Sequence, residues 1–102
     1  MREPAMTLTW NDDSPVQRHP RAVWRAFEGE VAIIAPWEGA VRTLNHVGAR
    51  CWELADGRSF RAIVDVLLGE FDVSRSVLEG DLRAFLAELA ARELLALGED
   101  RP

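Results

Sequence analysis

The chain has 102 residues, of which 48% are hydrophobic and 28% charged, and its formal net charge is −5. That length holds one hydrophobic core and not two, and the composition is that of an ordinary globular domain. The acidic balance argues against duplex DNA or RNA as a partner, because phosphate neutralisation supplies most of that affinity. All twelve basic residues are Arg, so no lysine is present for Schiff-base or phosphate-loop chemistry. A single cysteine excludes an internal disulfide and agrees with a reducing compartment. No apolar run approaches the roughly 20 residues that span a bilayer, and the N-terminus shows no secretory apolar segment. A cytoplasmic protein without a membrane partner is expected.

Residues 1–14 mix Pro, Thr, Asn, Asp and Ser with scattered apolar side chains and read as a mobile tail. Pro15 and Pro20 flank residues 16–19, which suits an edge or irregular strand better than a central one. Residues 21–27 are strand-like, with Val23, Trp24 and Phe27 as bulky members. Glu28-Gly29 is a turn, residues 30–35 a second strand, Pro36 to Gly39 a second turn, and residues 40–44 a short third strand. At Asn45 the period changes from two to between three and four, and Asn45 is a good residue to cap the helix that follows. Val47, Cys51, Leu54 and Ala55 form the stripe of that first helix, ended by Asp56-Gly57. Ser59 caps a second helix striped by Phe60, Ile63, Val64, Leu67, Leu68 and Phe71. Asp72 or Ser74 caps a third, striped by Leu78, Leu82, Phe85 and Leu89. Leu94, Leu95 and Leu97 close a domain of residues 15–97 before a polar tail, 98–102. Strands first and helices after predict an α+β fold of the winged helix-turn-helix kind: a three-stranded antiparallel sheet followed by a three-helix bundle, with the third helix beside the third strand.

Residues with reactive chemistry are few. Cys51 falls on a buried stripe, where a thiol is a small core residue rather than a nucleophile or metal ligand. His19 and His46 have no second His, Cys or carboxylate at a metal spacing. The carboxylates Glu53, Asp65, Glu70, Glu79 and Glu88 lie on polar helix faces, and the glycines form no phosphate-binding loop. Neither a catalytic centre, a metal site nor a cofactor site is expected. The third helix carries Arg75, Arg83 and Arg92 against Glu79, Asp81, Glu88 and Glu93, an acidic balance that does not suit a recognition helix in a major groove. What remains is the free edge of the third strand, on which an extended peptide can add as a further strand with the third helix as the other wall of a groove.

Several pieces in order carry a family resemblance. They are Leu44-Asn45 with Gly48-Ala49, Trp52 to Gly57, Ile63-Val64, Phe71-Asp72-Val73, Asp81-Leu82 with Phe85-Leu86, and the closing 89–95 stretch. Together they resemble the PqqD-like family of recognition elements for ribosomally synthesised and post-translationally modified peptides. The resemblance covers residues 15–97. It implies a non-catalytic adaptor that binds the leader of a precursor peptide as an added strand and presents it to a peptide-modifying enzyme. In pyrroloquinoline quinone synthesis that enzyme is a radical SAM enzyme; in lasso-peptide pathways it is a leader peptidase with a cyclase. The implied peptide-binding residues are Val41, Arg42, Thr43 and Leu44 on the strand, with Arg75, Leu78, Asp81, Leu82 and Phe85 on the helix. Of these, Leu78, Leu82 and Phe85 also belong to the core stripe, whereas Arg42 and Arg75 are expected to serve contact alone. Two other readings stay open: a small winged-helix DNA-binding regulator, and a dimerisation module in which the edge strand pairs with its twin or the N-terminal strands swap. A monomer, or a weak or strand-swapped homodimer, fits the adaptor.

Overall fold

Residues 10–98 are described by a computed structural model. Along the chain run β1 (Pro15–Arg18), β2 (Val23–Phe27), β3 (Glu30–Ile34), β4 (Val41–Asn45), α1 (His46–Leu54), β5 (Asp56–Ser59), α2 (Phe60–Glu70), α3 (Arg75–Ala91) and β6 (Leu95–Leu97). The expected α+β order holds, with an antiparallel meander β2-β3-β4 ahead of three helices.

The meander forms because its turns and its alternation agree. Glu28 and Gly29 both take positive φ (53° and 82°), as a two-residue hairpin turn requires, and the turn sets the pairing Phe27↔Glu30 through Val23↔Ile34. β4 continues the sheet with Ile34↔Val41 to Glu30↔Asn45. Val31, Ile33 and Leu44 face the helices and are buried, whereas Val23, Phe27, Ile34 and Val41 stand exposed on the opposite face. The helices cover the inner face with Trp52, Phe60, Ile63, Leu67, Leu82, Leu86 and Leu89, all fully buried.

A second sheet, in the order β5-β1-β6, is not foreseen from the sequence. β1 is its central strand rather than an edge, antiparallel to both neighbours. Pro15 is compatible with that place because it is the first strand residue, where no N–H is needed, and its carbonyl accepts from the Gly98 amide at 2.9 Å. The residues expected to end one helix and cap the next, 56–59, make β5 instead. Asp-Gly-Arg-Ser has no apolar alternation, so only backbone pairing reveals this strand. Ser59 still does its capping: its Oγ accepts from the Ala62 amide at 3.0 Å.

Residues 10–14 correct the expected tail, whose residues 1–9 lie outside the described part. Asn11 and Ser14 close a turn, with the Ser14 amide donating to the Asn11 carbonyl at 3.0 Å. The carbonyls of Asp12 and Ser14 accept from the Arg61 and Phe60 amides at 2.8 and 3.0 Å. These are amides of the first turn of α2 that have no partner within the helix. Above them the Trp10 ring meets Phe60 edge-on at 5.2 Å. The Arg83 guanidinium lies over both rings and pairs with Asp12.

The helix ends differ in how they are satisfied. Asn45 occupies the cap position of α1 but its side chain makes no capping bond, because the chain passes through a left-handed residue, His46 (φ 52°), on entering the helix. At the other end Arg18 donates to the Trp52 and Glu53 carbonyls at 2.8 and 2.9 Å and stacks over Trp24 at 4.8 Å. A cation placed on terminal carbonyls suits the helix dipole. Ser74, not Asp72, caps α3, accepting from the Val77 amide at 3.3 Å. Past α3, Glu93 turns left-handed (φ 62°) and the Leu94 amide returns to the Leu89 carbonyl at 3.0 Å, which aims the chain back into β6.

This packing can be probed at both of its less obvious points. A chain beginning at Pro15 loses two backbone caps of α2 and the Trp10–Arg83–Phe60 stack, and thermal unfolding should show it less stable by about 2 kcal/mol; an unchanged melting temperature would return residues 10–14 to the status of a tail. Cys51 is fully buried, and desolvation pushes its thiol up to about 12. Iodoacetamide at pH 8 should therefore leave the native protein unlabelled and alkylate it only after denaturation, as read by intact mass.

Candidate functional site

β4 is hydrogen-bonded to β3 on one side, and among the described residues no strand pairs with its other side. α3 is tied to the surroundings of β4 at two places, the turn before the strand and the start of α1 after it. Near the start of β4 the Trp37 indole N–H donates to the Arg92 carbonyl at 2.9 Å. Beside it Arg42 bonds Glu38 at 3.3 Å and lies 3.9 Å from Glu88, while Arg92 lies 3.9 Å from Glu38. Where β4 gives way to α1, the Phe85 ring comes against Gly48. A β-carbon at position 48 would sit 3.3 Å from that ring, so the missing side chain is what lets α3 approach so closely.

Beyond the Gly48–Phe85 contact, the space between α1, α3 and the connection from α2 opens into a cavity of about 410 Å³. Val47, Phe71, Val73, Leu78, Leu82 and Phe85 give it apolar walls, and Asp72 and Asp81 stand at its margin. Leu78 and Leu82 are buried and belong to the core, whereas Val47, Phe71, Val73 and Phe85 are half-buried, with surface still turned to the opening.

The residues singled out in the sequence divide among these places. Leu78, Asp81, Leu82 and Phe85 come together on the cavity. Val41 and Thr43 are exposed on the far face of the edge strand, Leu44 is buried beneath it, and Arg42 is held in the Glu38–Glu88 cluster. Arg75 lies away from the cavity: it reaches across to α2, 2.6 Å from Asp65, and to Glu79 at 3.4 Å. Those carboxylates raise its pKa further. Sequence reasoning misses Val47, Gly48, Phe71, Asp72 and Val73 as cavity residues. The signal is present in the Phe-Asp-Val order between two helices, where two apolar residues flank a polar one in the four-residue connection 71–74.

Reactive side chains do not gather here. Cys51 is sealed in the core, and the His19 ring packs at a tilt against Trp37, 4.5 Å between centroids, with its Nδ1 accepting from the Arg21 amide at 3.0 Å. Among the described residues no group of three or more His, Cys, Asp or Glu side chains could hold a metal ion. In the same part of the chain, no helix is long and apolar enough to cross a membrane. The arrangement offers an unpaired strand edge beside an apolar cavity, which is chemistry for holding an extended chain.

Comparison with known proteins agrees with that geometry. The family described as Coenzyme PQQ synthesis protein D (PqqD) matches residues 22–95, from the turn before β2 to the first residue of β6. Among solved structures, one described as TbiB1 in complex with the TbiA(beta) leader peptide is 34% identical, with a TM-score of 0.73. The match covers 83% of this chain and 99% of that one. No curated protein matches. With most of its length matched by the family and a solved relative superposing over nearly all of its own chain, this protein belongs to the PqqD family.

Proposed function

We propose that this chain is a non-catalytic adaptor for a ribosomally made precursor peptide. The leader adds along the free edge of β4 as a fourth strand, seats apolar side chains in the Phe85 cavity, and is thereby presented to a modifying enzyme. The observation that carries this is an open strand edge that runs into α1, whose Val47 and Gly48 line an apolar cavity, since strand addition draws affinity from backbone bonds and selectivity from side-chain pockets. Membership of the PqqD family supports it, as does the likeness to a protein solved with a leader peptide. The enzyme served is of the radical SAM or leader peptidase and cyclase kind, and the setting is cytoplasmic.

The DNA-binding reading lacks its cations. Arg75 is engaged by Asp65 and Glu79, Arg83 by Asp12, and Arg92 by Glu88 and Glu38. Taking these guanidiniums to phosphates means breaking ion pairs that hold α3 to α2, to the residues before β1 and to the sheet.

The direct test is a nitrogen-15 amide titration with the leader half of a short precursor peptide encoded beside this chain's gene. Shifts are expected along Val41 to Asn45, around Gly48, and from Leu78 to Phe85; a spectrum that does not move rejects the adaptor. Gly48→Leu gives a second check by filling the space beside Phe85. Leader affinity should fall by more than about tenfold, a loss of ~1.4 kcal/mol or more, while far-ultraviolet circular dichroism stays that of the parent. Unchanged affinity would move the leader off the cavity.

A further inference from the structure

Two carboxylates at the cavity margin have no role in the fold. Asp81 interrupts the apolar stripe of α3, between Leu78 and Leu82 and four residues before Phe85. Aspartate is a weak helix former, it caps nothing there, and the positions three and four away are Leu78, Ala84, Val77 and Phe85, none of them a cation. Asp72 faces the same cavity from the α2–α3 connection, and it does not cap α3 because Ser74 does. Among the described residues neither carboxylate has an ion-pair partner. The nearby arginines are already taken: Arg42 by Glu38, Arg50 by Glu53 and Glu70, and Arg75 by Asp65 and Glu79. The uncompensated charge at the groove is therefore negative and comes from two different elements.

We infer that Asp72 and Asp81 read a basic side chain, Arg or Lys, on the bound peptide, placed two residues from the apolar side chain that fills the cavity. The spacing follows from strand addition: side chains of an extended peptide alternate, so the nearest neighbour on the same side as the anchor is two positions away. Arginine fits best, because its planar fork can meet two carboxylates at once. This rests on the peptide-binding reading above and names which peptides that groove selects.

The test is a display selection of random twelve-residue peptides on the whole chain, run in parallel on the Asp72→Asn/Asp81→Asn double variant. A Glu28→Gln/Glu93→Gln double variant provides the same change in net charge away from the cavity. The wild-type and Glu28/Glu93 selections should enrich peptides with an apolar residue and Arg or Lys two positions from it. The Asp72/Asp81 variant should keep the apolar preference and lose the basic one. In an enriched peptide, replacing the basic residue by Gln should weaken binding to wild type about fivefold, and to the Asn variant by less than about twofold. Enriched peptides without a basic preference on wild type would overturn this inference and leave the adaptor standing, an outcome that requires no variant to fold. A basic preference that survives in the Asn variant, or that fades equally in the Glu28/Glu93 variant, would also overturn it by tracing the effect to net charge. No enrichment of any peptide would reject the adaptor itself.

Discussion

The structure depends on α3 being held close to β4 without closing on it. Two fixed points set that spacing. At one end the Trp37 indole is tied to the Arg92 carbonyl, with Glu38, Arg42, Glu88 and Arg92 clustered around it. At the other, Gly48 lets the Phe85 ring sit directly on the backbone of α1. Between them the strand edge is left unpaired and the helix offers a half-buried apolar face. A larger residue at 48 pushes α3 away, and the loss of the Trp37 tie lets its end swing, so both contacts shape the groove although neither lines β4.

The second sheet serves the same end by holding the chain before α2 and after α3. β1 pairs with β5, which leads into α2, and with β6, which follows α3. One short strand near the N-terminus thus clamps the beginning and the end of the α2–α3 pair. The turn at residues 11–14 adds the caps on the first amides of α2, and Arg83 ties α3 to Asp12. α3 is consequently positioned by contacts along its length: Arg75 to α2, Arg83 to the residues before β1, and Arg92 to the sheet. The arginines of this helix are structural ties, which is why its sequence looks like a mixed-charge surface while little of the positive charge is left to meet a partner.

How much of this can be read from the chain follows from where the signals lie. The meander is legible because alternation, Glu28-Gly29 and the Pro36 to Gly39 turn all agree. The three helices are legible because their stripes are long. β5 is not, since Asp56 to Ser59 contains no apolar residue and its pairing with β1 is backbone alone. β1 is easily misplaced because prolines at 15 and 20 suggest an edge, yet both lie where no ladder amide is lost. Within the site, the stripe Leu78–Leu82–Phe85 is visible as apolar periodicity, but periodicity cannot separate a residue that packs the core from one that also walls a cavity. Arg42 and Arg75 stand out in the sequence by their charge. Whether a charge is free to meet a ligand depends on its three-dimensional neighbours, and Glu38 and Asp65 occupy them.

Among the described residues the meander has two free edges, and they are not equivalent. Among the described residues β2 is open on its outer side as well, but it is not next to the Phe85 cavity, and Arg25 stands exposed at its middle. A charged side chain in the centre of a short edge strand discourages a further strand from adding there. β4 has the opposite character: Leu44 is buried, Thr43 is uncharged, and its one cation, Arg42, is drawn off by Glu38. Backbone pairing is nearly blind to sequence, so a protein with two open edges needs side chains to decide which is used and by what. On the proposed function, a guard on one edge and a cavity near the other would make that decision.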